Sequence, residues 1–333
     1  MDVHDPTKSG VRPFLSRSVV IYLTSDHLGD DKPPAQRYWG GITMVEGVRL
    51  NSIIRAFEQK VPAFTTFAPA DANTAMSFRD TPYDGIVFEM EHTPWDGYVL
   101  RDAMQYLLDR RQIAESGSVA TTLTPLVRIP VNGSEMNQWI AKQALDMGAY
   151  GVVWPHIATV DEARNAVAAC RYPRPKGAPL YEPAGARGDS PTAAARYWGL
   201  SLQEYYDRAD VWPLDPKGEI LVVLMIEDTD GIANLEDMLR NVPGIGLILI
   251  GQGDLSRVLG HPRQYNHPTV RAAVAEIRAI CKKHNVMVGR PQVDADNIEE
   301  ALKEGYDFLM PSPTRGLLAV ERGMQLSKRS SKS

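Results

Sequence analysis

The chain has 333 residues, 44% of them hydrophobic, with a formal net charge of −5 and a pI near 5.8. That is enough apolar material for a sizeable core, and no basic tract stands out, which argues against a nucleic-acid partner. The longest apolar run, LVVLMI at 221–226, is too short to cross a bilayer, so no membrane partner is expected.

The first 45 residues are irregular and rich in Pro, Gly and Asp; they read as an N-terminal extension, an arm suited to a neighbouring subunit. They lack the charged-then-apolar order of a secretion signal. From 46 to 333 the text becomes regular. LNSIIRAFEQ has helical spacing, and short apolar runs then alternate with amphipathic stretches. The runs are PAFTTF (62–67), GIVFEM (85–90), PLVRIP (125–130), YGVVWP (150–155), EILVVLMIE (219–227), IGLILIG (245–251), NVMVGR (285–290) and YDFLMP (306–311). Helical stretches between them include YVLRDAMQYLLDRR, SEMNQWIAKQALDMG, TVDEARNAVAACR, IANLEDMLRNV, TVRAAVAEIRAICKKH and NIEEALKEG. Strands buried on both faces read as continuous apolar runs, and eight strand–helix units predict a closed (β/α)8 TIM barrel. Cys170 and Cys281 fall in apolar helical patterns far apart and read as buried free thiols, which fits a reducing cytoplasm.

One segment breaks the rhythm. Residues 172–215, between the fourth and fifth runs, are rich in Tyr, Trp, Pro and Arg and exceed a normal connection. They are expected to form a lid or substrate wall over the active face, or an oligomer contact.

In such a barrel chemistry sits at the C-terminal ends of the strands. Those ends carry Glu89, Glu91 and His92; Arg128; Trp154, Pro155 and His156; Glu227 and Asp228; Asp254 in GQGDLS; Arg290; and Pro311-Ser312-Pro313. Carboxylates without a cysteine or histidine pair suit a hard cation that keeps waters and takes substrate oxygens. Glu227 and Asp254 fit that description; the plainer role for Glu227 is to cap the helix that follows.

The chain resembles the HpcH/HpaI aldolase family, the class II metal-dependent pyruvate aldolases. The resemblance rests on Glu89-Met90-Glu91-His92, Val127-Arg128-Ile129-Pro130, VVWPHIATVDEARNAV, Met225-Ile226-Glu227 and GQGDLSRVLGHP, in that order from about 50 to 325. It implies a carbon–carbon lyase that cleaves a hydroxy-oxo acid to an aldehyde and an enolate. Glu227 and Asp254 would hold a divalent metal (Mg2+, Mn2+ or Co2+), and Arg128 would bind the carbonyl or enolate oxygen. His92 would be the base, with His156 next in line, and Glu89 would orient the His92 ring. The helix start at Gly253, Asp254, Leu255 and Ser256 would receive the substrate carboxylate. A homohexamer is implied by the resemblance alone.

The sequence departs from the pattern at Met225, where a polar Gln is usual, and at Gln252, where Pro is usual. With the long 172–215 segment, this raises a second possibility: a bulky aromatic substrate that releases formaldehyde or another small aldehyde. Trp95, Trp154, Tyr181, Tyr197 and Trp198 would then line the mouth, their alternative being core or interface positions. A catalytically inactive small-molecule binder is the reading from another class, though Glu227, Asp254 and His92 are all present.

Overall fold

The computed structural model describes residues 48–130, 138–313 and 317–329, so the expected arm at 1–45 lies outside the described residues. The described strands are β1 (Ala63–Pro69), β2 (Gly85–Glu89), β3 (Thr124–Arg128), β4 (Gly151–Trp154), β5 (Val211–Trp212), β6 (Ile220–Ile226), β7 (Leu247–Ile250), β8 (Met287–Val293) and β9 (Phe308–Pro311). All pairings are parallel, in the order β4-β3-β2-β1-β9-β8-β7-β6-β5, and β4 also pairs with β6. Eight strands therefore close on themselves as the expected (β/α)8 barrel. The two-residue β5 stands apart, paired with Ile220 and Leu221 at the start of β6, before β7 joins that strand at Val223.

The reason these runs become barrel strands is visible in their burial. All seven residues of β6, ILVVLMI, are buried, as are LILI in β7 and GVVW in β4. Faces inside and outside the barrel are both covered, so no polar alternation is needed. The helices follow local signals. Thr159 and Glu162 form a capping box at Val160–Ala169, Asp228 caps Thr229–Asn241 by accepting from the Gly231 amide at 2.6 Å, and Pro268 opens Pro268–His284. The predicted helix over YVLRDAMQYLLDRR is in fact two, Gly97–Leu107 and Arg110–Ser116. Leu108 is extended, and Asp109 caps the second helix by accepting from the amides of Arg111 and Gln112. Of SEMNQWIAKQALDMG the helix Gln138–Asp146 is seen, and 134–137 lie outside the described residues. Both cysteines are free and buried, and burial pushes each thiol pKa up to about 12.

Because the strands are parallel, one rim of the barrel collects all the N-terminal ends. This rim is closed by a polar floor. The Glu219 carboxylate accepts the amides of Leu50 and Asn51 at 2.9 Å each and faces Arg208 at 3.1 Å. The Asn51 side-chain amide donates to the Glu219 and Tyr150 carbonyls, and its oxygen caps the helix Ser52–Glu58. Asp84 accepts from the Phe64 amide and holds Arg329.

The 172–215 segment belongs to this floor, which corrects the expectation of a lid or substrate wall. The segment follows the helix Val160–Ala169 and so returns the chain to the N-terminal rim before β6 begins. Within it lie two helices, Thr192–Trp198 and Leu202–Tyr206. The Trp198 indole donates to the Gly148 carbonyl, just before β4, and its ring stacks on Tyr150 with centroids 4.2 Å apart. Tyr197 donates to the Met104 carbonyl, and Arg187 reaches Asp146 at the end of the helix Gln138–Asp146. Arg171 and Arg174 converge on Asp210, whose backbone carbonyl accepts the Ile220 amide at the start of β6.

Candidate active site

The opposite rim gathers the C-terminal strand ends. Glu89 and Arg128 are register partners on β2 and β3, so their side chains meet across one strand spacing. The Arg128 guanidinium binds one Glu89 oxygen through Nε at 2.9 Å and through a terminal nitrogen. Its other terminal nitrogen reaches Glu91 at 2.9 Å, and its plane lies 4.3 Å from the Phe67 ring centroid. A planar cation held on three sides this way has little freedom to rotate, and it presents a fixed fork. The same nitrogen that meets Glu91 lies 3.8 Å from the Met225 sulfur.

Glu89 does not orient the His92 ring, which corrects the role expected of it. Its other oxygen accepts the backbone amides of Glu91 at 2.8 Å and His92 at 3.3 Å, so it shapes the turn that carries them. The carboxylate beside the ring is Glu91, 3.6 Å from His92 Nε2. His92 itself is 68% exposed at the rim, open to a ligand. Glu91 also faces His156 Nε2 at 3.5 Å, so it stands between Arg128 and both histidines. Burial raises the Glu91 pKa, but the His156 hydrogen bond and the Arg128 and His92 charges outweigh it, and Glu91 is held below the usual carboxylate range.

Glu227 is 4% exposed just past the end of β6. It does not cap the next helix; Asp228 does that. It accepts the His156 amide at 2.9 Å, and His156 adopts a left-handed backbone, φ 54°, to offer that amide. Gly251 is required here, since a Cβ at that position would stand 2.2 Å from a Glu227 oxygen. Asp254 completes the group. One ligand atom each from His156, Glu227 and Asp254 lies within 4.8 Å of the others. Burial pushes the Glu227 pKa up to about 7 against the pull of His156, with Glu91 and Asp254 adding repulsion. His156 is raised to about 9, chiefly by its hydrogen bond to Glu91, against the desolvation that lowers it.

The stretch from Gly253 to Ser256 divides. It lies in the helix Gln252–Val258, whose start at Gly251 has no side-chain cap. Gly253 borders open space. Leu255 is fully buried, and the Ser256 hydroxyl donates to the Gly253 carbonyl and accepts from the Arg263 amide, so neither side chain is free for a ligand. Trp154 also leaves the set: it is fully buried, and its indole lies against the Cys170 thiol at the end of Val160–Ala169, in the layer between barrel and helices. Arg290 turns to Glu304 and the Tyr306 ring rather than to the mouth. Tyr197 and Trp198 belong to the floor, and Trp95 is half-buried against the core. Two partnerships have no counterpart in the sequence reading: Glu91 as the shared neighbour of Arg128 and both histidines, and His156 beside the two acids. His156 is visible in the sequence as a strand-end histidine, but its positive φ has no sequence signature.

A family model, HpcH/HpaI aldolase/citrate lyase, matches residues 64–311. The 2-dehydro-3,6-dideoxy-6-sulfogluconate aldolase of Pseudomonas putida is 28% identical over 80% of this chain and 95% of its own length. A hydroxypyruvate/pyruvate aldolase of Sagittula stellata is 29% identical over 78% of this chain and 89% of its own. Among solved structures, an HpcH/HpaI aldolase/citrate lyase family protein from Burkholderia cenocepacia superposes with a TM-score of 0.65 at 26% identity, covering 84% of this chain and all of that one. The shared barrel, the family model and these relatives lead to one conclusion: the chain belongs to the HpcH/HpaI aldolase/citrate lyase family and has the function of a metal-dependent aldolase or lyase.

Proposed function

We propose that the protein cleaves a 4-hydroxy-2-oxo acid by a retro-aldol reaction, giving an aldehyde and the enolate of a small 2-oxo acid. The observation that carries this reading is the convergence of Glu227 and Asp254 beside a locked Arg128, with His92 open at the same rim. The relatives named as pyruvate aldolases support the substrate class.

The donor set fits a divalent cation. Glu227 is buried and, among the described residues, accepts one backbone amide, and a second carboxylate stands beside it. Two such acids repel until a cation joins them. Mg2+, Mn2+ or Co2+ held by Glu227 and Asp254 would supply Lewis acidity toward the substrate carbonyl. The chain's own residues do the rest. Arg128, fixed by Glu89, Glu91 and the Phe67 face, offers N–H groups where enolate charge develops, at no cost in reorganisation. The uncapped amides at Gln252–Asp254, beside the open space at Gly253, receive the substrate carboxylate. His92 takes the proton from the 4-hydroxyl, with Glu91 beside its ring to stabilise the imidazolium that results.

The reading with a bulky aromatic substrate loses three of its five candidate aromatics, because Trp154, Tyr197 and Trp198 lie away from the mouth. The test is release of 2-oxo acid from 4-hydroxy-2-oxo acids by wild type, His92→Ala and Glu89→Gln. His92→Ala should lose about 10²–10⁴-fold in kcat while keeping its metal. Unchanged turnover in His92→Ala would transfer the base role to His156.

A further inference from the structure

Resting on the metal reading above, we propose that His156 is a third protein ligand of the cation, through Nδ1, and that it draws the site toward Mn2+ or Co2+ in preference to Mg2+. Three independent features converge on this residue. The first is placement: a ring nitrogen of His156 stands with one oxygen each of Glu227 and Asp254 inside a 4.8 Å span, close enough for one ion to reach all three. The second is the partner of the other nitrogen. Nε2 faces Glu91 at 3.5 Å, and a metal-bound histidine characteristically gives its remaining N–H to a carboxylate, which fixes both the tautomer and the ring plane. The third is the backbone. His156 sits at φ 54°, a region a non-glycine residue occupies at a cost, and it is held there while its own amide donates to Glu227 at 2.9 Å. Backbone and side chain of one residue thus serve the same carboxylate group.

The chemistry follows from the donor set. Two carboxylates and water suit Mg2+, which binds oxygen almost exclusively. Adding an imidazole favours first-row transition ions, for which nitrogen donors raise affinity. Glu91 then links the two halves of the site. Its anchoring by Arg128 at 2.9 Å ties the orientation of the ligand ring to the group that binds the substrate oxygen.

The experiment uses full-length protein loaded with Mn2+ and needs no turnover. Pulsed EPR of the Mn2+ complex should show ¹⁴N modulation from a directly bound imidazole in wild type. It should be absent in His156→Asn, which tolerates the left-handed backbone, and in His156→Ala, and retained in His92→Ala. Calorimetric titration should show Mn2+ and Co2+ affinity falling roughly 10- to 100-fold in the His156 variants, with Mg2+ affinity changing less than about threefold. Glu91→Gln should weaken Mn2+ by a smaller factor and keep the nitrogen signal. Wild-type Mn2+ binding without nitrogen modulation, or equal loss for Mg2+ and Mn2+ in His156→Asn, overturns the role of His156 and leaves the two-carboxylate site standing. Failure of wild type to bind any of the three ions overturns the metal site itself.

Discussion

Glu219 at the floor of the barrel and Glu227 at its mouth flank opposite ends of the same strand, β6, and both are almost wholly removed from solvent. Glu219 accepts two backbone amides and meets Arg208 and Arg49. Glu227 accepts one amide and shares its surroundings with two further carboxylates, Glu91 and Asp254. Desolvation raises the pKa of both, but at the floor cations and amides counter it, whereas at the mouth His156 pulls against it while Glu91 and Asp254 add to it. The difference separates residues that hold the fold from residues held by it. A buried carboxylate with its partners in place is part of the scaffold. One left short of partners at a strand's C-terminal end is positioned for something the chain does not itself supply.

The largest expected effect breaks this contrast on its catalytic side. Glu227→Ala or Asp254→Ala should abolish retro-aldol turnover, at least about 10³-fold given the loss of one of two charges on a hard cation. Thermal stability of the metal-free protein should stay at or above wild type. Glu219→Ala should do the reverse. It strands the Leu50 and Asn51 amides and Arg208, costing about 3–5 kcal/mol in denaturant titration, while the folded fraction keeps its turnover. Stability loss in Glu227→Ala matching that of Glu219→Ala would erase the distinction between the rims.

The next effect is a pH dependence. The folded pKa of Glu227, raised to about 7 by burial, exceeds its unfolded value near 4.5. Between those values the folded state holds the extra proton, so raising the pH destabilises the metal-free protein, by up to about 3 kcal/mol from this group across the window. Glu227→Gln cannot ionise and should flatten that part of the curve. Melting temperatures of the two metal-free proteins from pH 4 to 8 measure it directly; parallel curves would contradict the burial argument.

These contrasts also show what the sequence can and cannot disclose. The barrel is legible because doubly buried strands write continuous apolar runs, and ILVVLMI or LILI admits few other readings. Glu227, Asp254, Arg128 and His92 are legible as a group because the fold brings strand ends together. The 172–215 segment misleads because its aromatic and arginine content resembles a binding wall. What decides its side of the barrel is that it follows a helix and precedes a strand. Trp154 misleads because a strand's last residue can face either layer, and here it lies against Cys170 in the helix layer. Glu91 looks like one more acid in a crowded turn, and its contacts depend on Arg128 arriving from β3.

The smallest effect concerns Met225. Its sulfur lies 3.8 Å from the Arg128 guanidinium, where it can offer a weak acceptor and no donor. Met225→Gln should offer a polar contact to a 2-oxo acid and lower KM about fivefold, little affecting kcat, since one hydrogen bond contributes about 1 kcal/mol. A rise in KM would instead mean that the apolar surface itself meets the substrate.

The metal dependence proposed for the mouth is open to direct test. The most direct measurement is turnover of a 4-hydroxy-2-oxo acid by chelator-treated wild type, before and after addition of Mn2+, with metal content determined in the same samples. Activity should disappear with the metal and return with it, while the melting temperature changes little on chelation because the floor remains intact. Full turnover in protein shown to contain no metal would contradict it.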